Sequence, residues 1–78
     1  MTTAARVAYH DAQVVAVAWE KVAADWAQVR ATWRDDREVV AAAQARVEDA
    51  RARAANARET AAQVMAKIRV AEGRDKPQ

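Results

Sequence analysis

Seventy-eight residues with a net charge of +2 and interleaved signs make at most one small domain, with a surface too mixed to act as a strong polyanion-binding field. The absence of Cys excludes disulfides and thiolate metal sites, and a single His cannot by itself make a metal centre. A chain this short buries little surface alone, so oligomerisation or a partner is the support that remains.

The apolar share of 53% is mostly Ala and Val, while Leu, Phe and Ser are absent. Ala is the best helix former and Val a poorer one, so the valines must be placed by packing. The preference for Ala, Arg and Val over Lys resembles the usage of a GC-rich genome, such as an actinobacterium or its phage.

The first predicted element is a helix over Thr3–Trp33, with Thr2 or Thr3 as its N-cap. Counted in sevens from Ala5, one row holds Ala5, Ala12, Trp19, Trp26 and Trp33. A second row, three residues on, holds Ala8, Val15, Val22 and Val29. Apolar residues at alternating steps of three and four seat one helix against another. The indoles are therefore expected in the core seam, at its margin, where each N–H reaches a partner. A base-stacking ladder would interleave the rings with basic residues, and this face holds valines instead. Val7, Val14 and Val17 form a further apolar stripe off the Trp seam, which reads as an interface.

Asp35 and Asp36, followed by Glu38, suit the start of a second helix, with Asp35 and Glu38 resembling a capping box. Asp36 is the one polar residue in the seam rows, and a turn there would spare it burial. The competing fold is one helix about 100 Å long in a multi-chain coiled coil, which the unbroken heptad phase would allow. The hairpin is preferred because folding back between Arg34 and Asp35 sets Trp26 against Ala43 and Trp19 against Ala50.

The second helix is predicted over Asp36–Glu72, with Val40, Val47, Ala54, Ala61 and Ile68 in one row and Ala43, Ala50, Ala57 and Val64 in the other. Gly73 is expected to end it, and residues 73–78 to form a polar tail. Arg37, Arg51 and Arg58 flank one side of the seam; Arg46, Arg53 and Lys67 flank the other. That is the arrangement of coiled-coil edge charges. The alternative use of Arg46, Arg51, Arg53 and Arg58 is contact with nucleic-acid phosphates, weakened by the intervening Glu48, Asp49 and Glu59.

Nothing in the chain carries catalytic chemistry. His10 and Asp11 lack a Ser or Cys nucleophile, and the acidic pairs lack the glycine of a calcium loop. No catalytic, metal or cofactor-binding residue is expected, and no cofactor. The most apolar run, Val14 to Trp19, is too short to span a bilayer. A membrane-surface helix is disfavoured because the polar face of the first half is slightly acidic. The sequence thus predicts an all-α antiparallel hairpin assembling into a larger helix bundle. It reads as a non-enzymatic assembly, adaptor or inhibitory-binding protein, phage-encoded among the options. Its partner would be a second copy or another protein, and its location cytoplasmic or within a phage particle or infected cell. A weakly basic nucleic-acid-associated protein is the alternative.

Overall fold

A computed structural model describes residues 3–75. Two helices, α1 over Thr3–Thr32 and α2 over Arg37–Asp75, pack antiparallel into a hairpin with extents of 64 × 16 × 12 Å. The single long helix is thereby excluded, and the all-α hairpin stands.

The chain reverses at Trp33–Asp36 without glycine and without a left-handed residue. The Trp33 N–H still donates to the Val29 carbonyl at 2.9 Å, finishing α1, and the Asp36 N–H donates to the Trp33 carbonyl at 2.9 Å to close the turn. Asp36 is then the N-cap of α2: its Oδ1 accepts from the Glu38 and Val39 N–H groups, each at 3.1 Å. A carboxylate there satisfies two otherwise unpartnered donors and meets the positive end of the helix. The capping residue is therefore Asp36 and not Asp35, and Asp36 leaves the seam.

At the other end, α2 runs through Gly73 to Asp75. Gly73 does not stop the helix, and its Cβ position is open space. A helix-interior glycine costs only about 1 kcal/mol, which the remaining ladder tolerates. Lys76, Pro77 and Gln78, with Thr2, lie outside the described residues.

The core is a seam of small side chains. On α2 it follows the expected rows: Ala43, Val47, Ala50, Ala54, Ala61 and Ile68 are buried, with Val40, Ala57 and Val64 half-buried. On α1 it does not. The buried residues are Ala12, Ala16 and Ala23, flanked by half-buried Ala5, Tyr9, Trp19, Trp26 and Arg30. The row that joins Ala12, Trp19 and Trp26 is Tyr9, Ala16, Ala23 and Arg30, four residues on rather than three. At 3.6 residues per turn this rotates α1 by about 50° from the expected seam. Val22, expected in the core, is 36% exposed, and Val15 is exposed too.

The physical reason is size. Two helices lined by Ala approach closely, and an indole does not fit between them. Rotation moves the Trp row to the margin and puts Ala16 and Ala23 at the centre. Trp33, also expected in the core, is 55% exposed because it lies in the turn, just past the last residue of α1.

Candidate functional site

The two flanks of the seam differ. On one, Arg46 lies over the Trp26 ring, 5.6 Å from its centroid, and Arg53 over the Trp19 ring at 4.9 Å. The rings of Trp26 and Trp19, expected to face Ala43 and Ala50, are each capped by the arginine about one helical turn further along α2, and both alanines are buried. Stacked guanidinium groups cover the exposed faces of the indoles and leave their cationic edges in water. Arg53 also pairs with Asp49 at 3.0 Å.

The other flank is polar. Arg58 forms an ion pair with Glu20, its Nε donating at 2.6 Å, and Arg30 donates to Gln44. Beside them Gln13 donates to the Tyr9 hydroxyl at 2.9 Å. Tyr9, Gln13, Arg58, Ala61, Met65 and Arg69 line much of a shallow, open hollow of about 350 Å³. Among the described residues no buried side-chain nitrogen or oxygen lacks a hydrogen-bond partner.

The four arginines considered for nucleic acid do not form one strip. Arg46 and Arg53 lie on the Trp flank, while Arg58 lies on the opposite flank, engaged with Glu20. Helical spacing puts Arg51 on the Arg58 side. Among the described residues no three metal-ligating side chains converge, and no helix is long and apolar enough to cross a membrane.

Most of the large apolar side chains left exposed lie on α1, with Trp33 in the turn and Val70 on α2. The stripe Val7, Val14 and Val17 faces outward, with Val14 at 52% exposure. Nearer the Trp flank run Val15, Val22, half-buried Val29 and Trp33. The heptad pattern places these residues in the intramolecular seam, whereas the structure leaves Val15, Val22 and Trp33 exposed. The signal of this exposure was present in the sequence: α1 carries more apolar rows than a single partner helix can cover.

The Trp flank is open to a direct test. Trp26→Ala removes a half-buried ring and its arginine stack, for a cost of about 1–2 kcal/mol, below the 3–5 of a fully buried Trp. Thermal melts should fall by about 4–8 °C per kcal/mol. A melt unchanged from the wild type would mean that the ring contributes nothing to the fold.

Comparison with protein-family models, with curated proteins and with solved structures returned no match.

Proposed function

We propose that this chain is a non-enzymatic helical assembly or adaptor module that works through the outer apolar face of α1. The observation that carries the reading is the inversion of side-chain size. Alanines fill the seam while Val7, Val14, Val15, Val17 and Val22 face outward on one helix. Among the described residues Val47 is the one large side chain that is fully enclosed, so the hairpin alone removes little apolar surface from water. Exposed apolar rows of this extent, more than scattered single residues, mark an interaction surface on a small helical protein. The mixed arginine flanks support edge steering of a protein partner more than tracking of a phosphate backbone.

A photo-crosslinking residue at position 14, introduced in the cell of origin, tests this. Covalent products heavier than the 8.6 kDa chain are expected from position 14 and not from position 59 on α2. Val7, Val14 and Val17 replaced together by Gln should keep the helical circular dichroism, since surface changes rarely exceed about 0.5 kcal/mol each. The same variant should lose the products formed from a probe at position 18. Equal, monomer-only patterns from positions 14 and 59 would overturn the reading.

A further inference from the structure

We propose that the groove between α1 and α2 on the Trp flank holds one amphipathic helix of a different protein. That helix carries an apolar stripe, carboxylates along one edge and basic residues along the other. The proposal rests on the helix-face reading above and adds the kind of partner.

Three observations carry it. The first is angular. The Trp row of α1 belongs to two seams. One is completed by Ala16 and Ala23 and is used within the hairpin; the other is completed by exposed Val15 and Val22 and has no partner helix. At 3.6 residues per turn the two seams point about 50° apart. A helix in a triangular three-helix bundle faces its two neighbours at about 60°, whereas a square bundle of two hairpins requires about 90°. The open seam therefore fits one added helix better than a second hairpin.

The second is the makeup of the groove. Its floor is Trp19 and Trp26, each under a guanidinium group. Its α1 wall is the valine row. Its α2 wall follows one heptad row, Val39, Arg46, Arg53, Thr60 and Lys67, which is apolar only at the Val39 end. An apolar stripe laid on that wall would meet charge, so the edge of the occupant that faces α2 is acidic. Arg46 and Arg53 stand seven residues apart, about 10.5 Å along the helix, and match carboxylates at one heptad position of the occupant. Arg53 is shared with Asp49 at 3.0 Å, whereas Arg46 and Lys67 have no carboxylate partner among the described residues.

The third is the opposite edge. Outward from the valine row, α1 carries Asp11 and Asp25 two heptads apart, with Ala18 between them and Lys21 further round. Neither aspartate forms an ion pair among the described residues. The groove thus has one basic and one acidic edge. A helix with one edge of each sign satisfies both, and a helix with the same sign on both edges opposes one of them.

The test uses three helical peptides of about four heptads, monomeric in the assay, free of Trp and with Leu at both core positions of each heptad. One carries Glu on one edge and Lys on the other, one Lys on both, one Glu on both. Binding to the full chain is followed by its own tryptophan fluorescence, since Trp19 and Trp26 form the floor. The mixed peptide should bind at least about tenfold tighter than either of the others. Val15 and Val22 both replaced by Gln should weaken it by at least about tenfold while helicity persists. Arg46→Glu should shift the preference toward the peptide with two Lys edges. Asp25→Lys, which disturbs no ring stack or ion pair, should shift it toward the peptide with two Glu edges, and decides the matter if Arg46→Glu fails to fold. No saturation by the mixed peptide up to about 1 mM overturns the proposal. So do equal affinities for all three peptides, or a Val15/Val22 variant that binds unchanged. A pure chain that sediments at twice 8.6 kDa and becomes monomeric in the Val15/Val22 variant assigns the groove to a second copy and overturns it too. If no peptide binds while position 14 still crosslinks to a different protein, the single-helix occupant is wrong and the helix-face reading survives.

Discussion

Val47→Asp is expected to unfold the hairpin. Val47 has no exposed surface and sits at the middle of the α2 seam, between buried Ala43, Ala50 and Ala54. None of these offers a hydrogen bond, so a carboxylate there would be buried without a partner. Burying an unpaired polar or charged group costs several kcal/mol. A domain of this size holds a total stability of about 4–12 kcal/mol. The loss is therefore comparable with the whole. Circular dichroism should report most helicity gone at room temperature, because helices of this composition are marginal without tertiary packing. Val17→Asp is the control. It makes the same chemical change on the same kind of residue at 58% exposure, and its melt should differ little from the wild type when the protein is dilute. If Val47→Asp and Val17→Asp melt alike, the alanine seam is not the core.

The sequence made the hairpin readable because its punctuation is local. The Asp35–Asp36 pair lies where an N-cap is needed, and the α2 rows follow a single heptad phase with no competing apolar row. The α1 seam was not readable in the same way. There the Trp row is shared by two seams, Tyr9–Ala16–Ala23–Arg30 on one side and Ala8–Val15–Val22–Val29 on the other. Hydrophobicity ranks the valine row higher, so a pattern search selects it. Close packing ranks the alanine row higher, because only small residues allow the backbones to approach, and the indoles then move to the margin. The rotation is a contest between area and distance, and periodicity records only the first. The interface candidates follow the same logic. Val7, Val14 and Val17 were separable as a stripe that the Trp seam could not use. The exposure of Val15 and Val22 follows from the rotated seam, and that of Trp33 from its place in the turn.

Ala16→Leu tests that contest directly. Ala16 has no exposed surface and is the deepest α1 residue in the seam, whose α2 side is built largely of small side chains, Ala43, Ala50, Ala54 and Ala61 among them. By hydrophobic pattern alone the change is favourable: it adds apolar atoms at a core position of a good helix former. By packing it is unfavourable, because the added isobutyl group must displace the opposite backbone or force a strained rotamer. Overpacking of this kind costs about 1–3 kcal/mol. The upper part of that range is expected here, since the obstacle is helix backbone and not a flexible side chain. The melt should fall by about 10–20 °C. Ala18→Leu, on the exposed side of the same helix, should leave the melt of the dilute protein within a few degrees of the wild type. A second comparison identifies the mechanism. If the loss is steric, Ala16→Gly should relieve crowding and cost only the helix propensity of glycine, about 1 kcal/mol. If Ala16→Leu instead stabilises the chain, the helices are not in close contact at this level. The seam would then have returned to the valine row, with Val15 and Val22 inside.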